Sequence, residues 1–289
     1  MHPAPSVIAF TTFSGIGFGL LFWLGLGAIQ PSGFGAFIWF AMAYAMAVGG
    51  LLASTFHLGH PERALKAFSQ WRSSWLSREG VCAVATLVIM GIYALGALFD
   101  VHMGPIGFLG AFGALATVFT TSMIYAQLKT VPRWKHWTTP ALFLTLSLGG
   151  GALFTGQLWQ MFLLFAVSTA LQAYAWITGD MRLATSGSDL KTATGLGSIG
   201  EVRAFEPPHT GTNYLMREFI HVIGRKHTMK LRLIGMCLAF LLPVTFLNFH
   251  FSHFLALLAV LSHVAGVLTL RWLFFAEAEH VVGLYYGKR

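Results

Sequence analysis

Cysteine is nearly absent from this chain of 289 residues. Its two cysteines, Cys82 and Cys237, lie far apart in separate apolar segments. An iron–sulfur cluster normally takes about four cysteine ligands, and a structural zinc ion takes clustered cysteine and histidine. Neither pattern occurs here. We therefore expect no iron–sulfur cluster and no metal site in this chain, so any electrons that it handles must come from another cofactor or subunit.

Charged residues are also scarce, at 10% of the chain, whereas 56% are hydrophobic. A mean hydropathy of +0.68 is far from that of a soluble domain. The backbone in lipid must satisfy its own hydrogen bonds, so long apolar segments become helices. Eight such segments approach the ~20 residues that a spanning helix needs, the fifth being short: 6–29, 34–58, 79–99, 104–127, 139–156, 158–179, 230–249 and 253–275. The sequence predicts an all-α integral membrane protein, with eight transmembrane helices in a single polytopic membrane domain, 1–289.

Basic residues are missing from one set of connectors, those near 30–33, 100–103, 157 and 248–252. With eight crossings, all 18 Lys and Arg residues except Arg271 lie on the side that holds both termini. The positive-inside rule predicts that this side is cytoplasmic. We expect a multi-pass protein of a bacterial inner membrane, with both termini in the cytoplasm.

A net charge of +8 is compatible with a protein that binds nucleic acid. Single-stranded nucleic acid is bound by basic residues interleaved with aromatic ones, and no such module occurs here. We interpret the cations as topology determinants beside anionic lipid, and as a docking face for a partner protein. No nucleic acid partner is expected.

The longest connector, 180–229, is predicted to be a cytoplasmic loop. Its second half, Asn213 to Thr228, has the pattern of a short amphipathic helix, suited to a membrane interface or a partner surface. The run GLGSIG at 195–200 matches the dinucleotide-binding pattern of glycines. No strand precedes it and no βαβ unit surrounds it, so we interpret the run as a loop.

Three polar residues at the membrane edge carry the functional signal. His57 ends span two shortly before Pro61, Glu79 begins span three, and Arg271 lies in span eight towards the same side. Charged groups in a span are costly and therefore call for an explanation. A quinol headgroup needs hydrogen-bond partners for two oxygens and acceptors for two protons, which histidine and a carboxylate supply. These residues suggest a quinone site between spans two, three and eight.

Each of the three also has a plain structural interpretation. His57 could cap a helix C-terminus and Glu79 could favour a helix N-terminus, while Arg271 could extend to the interface. A b-type haem is another redox option, for which His263 is the mid-span candidate. Two facing histidines within the membrane are needed and a partner is missing, so we expect no haem.

Three motifs resemble the membrane anchor subunits of the dimethyl sulfoxide reductase family (DmsC type). They are HLGHPERA at 57–64, LSRE at 76–79, and TVPRW at 130–134 continuing to WTTP at 137–140. The resemblance covers the whole chain and agrees with eight helices. It implies a partner molybdopterin catalytic subunit, a partner iron–sulfur subunit, and electron exchange with membrane quinone (ubiquinone or menaquinone) without haem.

The resemblance places the family's quinone-linked residues on His57 and Glu79, whereas Arg271 is our own addition. Supporting roles are assigned to His60, Arg63, Trp134 and Trp137. Because the basic loops are predicted to lie on the cytoplasmic side, this chain looks more similar to the anchors of cytoplasm-facing sulfite:quinone oxidoreductase complexes. Electrons would then pass from sulfite to quinone. The alternative is an anchor that oxidises menaquinol for a dimethyl sulfoxide reductase-type enzyme.

Two other classes compete with a quinone-reactive anchor. Transporters place polar groups and broken helices near the membrane midplane. Here the polar groups lie at one face, and Gly149–Gly151 is the candidate for a break. A purely structural anchor without bound quinone is the other class, and it predicts that His57 and Glu79 are dispensable.

Overall fold

The computed structural model of the chain describes residues 1–57, 60–206, 209–220, 227–249 and 252–287, apart from the side chains of His57, Pro61 and Phe249. These parts are helical and contain no strand. The α-helices are α1 Pro5–Gly25, α2 Gly33–Ala53, α3 Trp75–Leu98, α4 Gly104–Ala126, α5 Thr138–Phe154, α6 Leu158–Gly179, α7 Arg182–Thr185, α8 Leu190–Thr194, α9 Tyr214–Phe219, α10 Thr228–Met236, α11 Leu242–Phe249 and α12 His253–Ala276. Tighter 3₁₀ segments occupy Ser54–His57, Pro61–Phe68 and Val281–Tyr286.

Seven helical segments in the described residues are long and apolar enough to cross a membrane. The prediction of an all-α membrane protein is thereby confirmed, but its eighth crossing is not. The fifth segment, α5, has 17 residues and therefore rises about 25 Å at ~1.5 Å per residue. That is short of the ~30 Å hydrocarbon core.

Helix α5 lies inside the bundle, against α1. A Cβ atom added to Gly19 of α1 would lie 1.8 Å from the backbone oxygen of Ser147, and one added to Gly151 would meet Gly19 at 2.3 Å. Only glycine permits this approach, which is how helices in lipid gain packing energy. Gly149–Gly151 therefore stays helical, and the sequence's candidate for a broken helix is a packing surface.

The seventh segment contains a local change of helix type. A π-helical turn at Cys237–Leu241 joins α10 to α11 within the helical segment Thr228–Asn248, which is long and apolar enough to span a membrane. Side chains of α12 donate hydrogen bonds to the carbonyl oxygens of this turn. Ser262 Oγ donates to Leu238 O at 2.8 Å, and His263 Nδ1 donates to Ala239 O at 2.7 Å. The ring of His263 stacks on Phe165 at 4.8 Å. His263, the haem candidate, thus serves this helix junction.

The ends of the chain meet at one end of the bundle. The amino group of Met1 donates to Ala278 O at 2.6 Å, just beyond α12. Val281 N donates to Thr130 O at 3.0 Å, which brings the 127–137 connector to the same end. We call this the basic end, because most of the Lys and Arg residues belong to the connectors at this end, 59–78, 127–137 and 180–229.

The long connector, 180–229, is predicted from sequence to be a loop with a short amphipathic helix in its second half. It contains α7 and α8, and Gly195 ends α8 in the left-handed region at φ +70°. Within the predicted helix Asn213–Thr228 the structure describes α9, which is followed by Ile220 in extended conformation. Residues 221–226 lie outside the described part of the chain.

Candidate functional site

Glu79 lies in the interior of the bundle. Helix α3 begins at Trp75, earlier than predicted, so Glu79 occupies its second turn and not its start. Its side chain is buried, and its Oε1 accepts a hydrogen bond of 2.5 Å from Thr121 Oγ1 of α4. The dipole interpretation is weakened by this placement, since the carboxyl points at a neighbouring helix and not at free amides.

Arg271 is buried, with only 4% of its surface exposed, and it has no anionic partner among the described residues. Its guanidinium carbon lies 3.6 Å from the centre of the Phe143 ring, a close cation–π contact. Its Nε is buried without a hydrogen-bond partner. Beside it is a cavity of about 20 Å³ that Gln172 of α6 also lines. Arg271 therefore does not extend to the interface, and its charge is left uncompensated.

Tyr125 of α4 links these two residues. It lies close enough to Glu79 and to Arg271 to interact electrostatically with both. It follows Thr121 by one helical turn, so it shares the face that holds Glu79. Neither the composition nor the motifs drew attention to Tyr125. The signal that could have found it is the series of hydroxyl side chains at i, i+4 spacing along α4, namely Thr117, Thr121 and Tyr125.

An aromatic cluster encloses Tyr125. Trp134 is buried, donates its Nε1 to Phe274 O at 2.9 Å, and lies 5.3 Å from Tyr125 between ring centres. Phe143 and Phe275 pack on the same ring at 5.7 and 5.5 Å. We refer to Glu79, Thr121, Tyr125 and Arg271 with these aromatic rings as the interior cluster.

The other predicted residues lie elsewhere or are not described. His57 ends a 3₁₀ turn after α2, and its side chain lies outside the described residues, as do Leu58 and Gly59. His60 is exposed, with its Nδ1 2.9 Å from the carboxylate of Glu62, and Arg63 is exposed as well. Trp137 is 57% exposed. Of the four supporting residues, the structure brings Trp134 alone into the interior cluster.

A second group of charges lies at the basic end. Arg133 bonds both Asp180 and Glu277, the latter at 3.0 Å. Arg232 also bonds both acids, with 2.8 Å to Asp180 Oδ1 and 2.7 Å to Glu277 Oε1. Arg182 donates to Arg133 O at 3.0 Å. We call these five residues the ion network; it joins the 127–137 connector to the ends of α6 and α12 and to the start of α10.

Electrostatics of the ion network favour its charged form. Partial burial raises the pKa of the Asp180 carboxyl, but hydrogen bonds and charge from Arg232 and Arg133 outweigh this effect and hold the pKa below its usual range. The network was missed from sequence. Asp180 and Glu277 each directly follow a spanning helix, where an acid opposes the helix dipole, and that mismatch was the available signal.

Comparison with known proteins bears on the whole chain. The family of DMSO reductase anchor subunits (DmsC) matches residues 1–287. A curated relative, a sulfite dehydrogenase subunit of Allochromatium vinosum, is 31% identical over 324 aligned positions that cover 99% of each chain. No solved structure matches this chain.

Proposed function

The chain belongs to the DmsC family of anchor subunits, a multi-pass membrane component of molybdoenzyme complexes, and on that premise we propose that it exchanges electrons with membrane quinone. In this proposal the iron–sulfur partner passes electrons to or from a quinone held beside the interior cluster. The molybdopterin partner acts on the terminal substrate. The name of the curated relative favours sulfite as that substrate.

One observation carries the quinone proposal: Arg271 is a buried cation without an anion among the described residues. An isolated charge in a low-dielectric interior costs several kcal/mol after relaxation. Such residues in membrane proteins mark ligand or ion sites. A quinone oxygen is a suitable acceptor for the guanidinium, because it is neutral in the membrane and gains negative charge on reduction.

The neighbouring groups suit the proton chemistry of the same ligand. Reduction of a quinone takes two electrons and two protons, and oxidation of the quinol releases them. The Glu79 carboxyl can hold a proton beside the Thr121 hydroxyl, and Tyr125 is close enough to interact electrostatically with both Glu79 and Arg271. His57, at the end of the helical turn that follows α2, is the second proton carrier in the proposal. Electron flow from sulfite would make these groups proton donors; oxidation of menaquinol, the alternative, would make them acceptors.

Topology forms part of the proposal. The contact of Met1 with Ala278 supports an even number of crossings, and therefore α5 as an eighth, shorter crossing. We place the basic end in the cytoplasm of a bacterium, with the 59–78 and 180–229 connectors against the iron–sulfur partner. A reporter that works only in the cytoplasm should be active when it is fused after Arg289. Activity of a periplasm-specific reporter at the same position would overturn this orientation. No haem absorbance is expected from this subunit.

The test of the quinone site is Arg271→Gln in the intact complex. Quinone-linked turnover should fall roughly 10²-fold, the loss typical of one electrostatic stabiliser, whereas reduction of a soluble dye at the catalytic subunit should be unchanged. Lys129→Gln is the control, because Lys129 is exposed and lies outside the two connectors that are placed against the iron–sulfur partner. Full quinone-linked turnover in Arg271→Gln would show that the buried charge has another purpose.

A further inference from the structure

A cavity of about 530 Å³ lies at the end of the bundle opposite the basic end. It is formed where α1 turns into α2 and where α3 turns into α4. Its polar lining residues are Gln30, Ser32, Tyr93, Asp100 and His102. All its lining residues are described, and none of them is Lys or Arg.

The backbone after α3 shapes this cavity. Asp100 has φ +58°, the left-handed region that residues with a Cβ seldom adopt. The chain reverses there, and Val101 N donates back to Gly96 O at 2.8 Å. This reversal brings His102 to the cavity wall. On the other wall Tyr93 packs edge-on against Phe40, with ring centres 5.8 Å apart.

An apolar groove of about 350 Å³ continues from the cavity along α2 and α3. Phe40 lines both spaces. The groove exists because small residues, Ala41 of α2 and Gly91 and Ala94 of α3, line it between the two helices. Cavity and groove together offer a polar end and a long apolar side, which is the outline of an amphiphile with a headgroup and one tail.

We propose that the cavity and groove bind a neutral, ring-bearing amphiphile of the quinone class, with its head in the cavity and its prenyl tail in the groove. The cavity volume is within the ~300–1,000 Å³ of small-molecule sites. Tyr93, His102 and Gln30 supply hydrogen-bond donors for ring oxygens, and Phe40 and Phe108 supply flat walls. A phospholipid is disfavoured, since no cation lines the described cavity for its phosphate and Asp100 would repel it.

This site is additional to the one in the proposed function. Glu79 and Leu98 stand near opposite ends of α3, and their separation of 19 residues (98 − 79) corresponds to about 28 Å along the helix. The second site holds its ligand in the other leaflet, and the proposal assigns it binding and no electron transfer.

Photoaffinity labelling in isolated membranes tests the site. The probe is an azido-benzoquinone with a short prenyl tail, and labelled peptides of the full chain are then mapped. Label should appear on residues 93–104 and be displaced by excess unlabelled decylquinone but not by added phosphatidylethanolamine. Ala41→Trp, which fills the groove, should lower this label at least tenfold. Ala116→Trp is the matched control, since Ala116 is exposed on α4 and lines neither space.

A second variant guards against a folding defect. His102→Leu removes a head-group donor without filling the groove and should lower the label on 93–104 several-fold. Absence of label there, displacement by phospholipid, or equal labelling of Ala41→Trp and Ala116→Trp would each overturn the proposal. Label on the segments containing Tyr125 or Arg271, together with quinone-linked turnover, reports the other site, so the two proposals can fail separately.

Discussion

The ion network and the interior cluster both contain buried or half-buried arginine, yet their surroundings differ. Arg133 and Arg232 of the ion network each reach two carboxylates. Arg271 of the interior cluster reaches an aromatic ring and has no described anion. A buried pair recovers in mutual attraction much of what desolvation costs, whereas a lone charge does not.

The difference distinguishes charges that are paired within the protein from a charge that the proposed function assigns to a ligand. The ion network can hold four chain segments together at the basic end without any ligand. The interior cluster lacks such pairing among the described residues, and under the proposed function a quinone oxygen is the acceptor for Arg271. Changes in the interior cluster should therefore alter quinone-linked turnover, and changes in the ion network should alter stability.

The largest effect is expected for His57→Ala, which tests whether the interior cluster extends to α2. Loss of a proton carrier should lower quinone-linked turnover by roughly 10²–10⁴. Assembly and soluble-dye activity should persist, because a small imidazole contributes less packing than a long apolar side chain. Turnover equal to that of the unaltered complex would remove His57 from the site.

A smaller loss is expected for Glu79→Gln, about tenfold in the same assay. The amide keeps the shape of the carboxyl and can still accept the hydrogen bond from Thr121, but it cannot carry a proton at neutral pH. Thr120→Ala is a neighbouring control, since the Thr120 hydroxyl donates to the backbone carbonyls of Ala116 and Thr117 in its own helix, whereas Glu79 accepts from Thr121.

Glu277→Gln in the ion network should lower stability and not quinone-linked turnover, the reverse of the interior-cluster variants. Removing the buried acid leaves Arg133 and Arg232 with fewer partners, so the free energy of unfolding in detergent should fall by roughly 3 kcal/mol. The quinone KM should be unchanged. Glu62→Gln is the control, because that acid is 64% exposed in its pair with His60, and exposed pairs contribute little. A changed KM with unchanged stability would assign Glu277 to the ligand site.

The smallest effect concerns pH. The pKa of Asp180 is lowered in the folded protein from its usual 3.8, so its pairing contributes stability at pH values above that figure. This contribution is lost as pH falls through the lowered folded pKa. The unfolding temperature should be level from about pH 7 to pH 5 and drop below about pH 4. Asp180→Asn should show a shallower drop, measured by thermal melts in detergent; an equal drop would place the acid sensitivity elsewhere.

Sequence reasoning located Glu79 and Arg271 because charge in an apolar helix is visible along the chain. It did not detect Tyr125, Asp180, Arg232 or Glu277 as members of clusters. The reason is physical: a tyrosine is compatible with both lipid and core, and an acid beside a basic connector looks solvated until its partner is known. The resemblance added family membership, which motif spacing carries and hydropathy does not.

The sequence by itself determined that this is a helical membrane protein whose basic connectors are segregated, because apolar length and charge placement act residue by residue. Tertiary structure alone decided that α5 lies inside the bundle, that span seven contains a π-turn, and that Arg271 has no anion among the described residues while Arg232 is doubly paired. These outcomes depend on which helices are neighbours. In lipid that choice is made by close contacts such as Gly19 with Ser147, where shape and not hydrophobicity selects the partner.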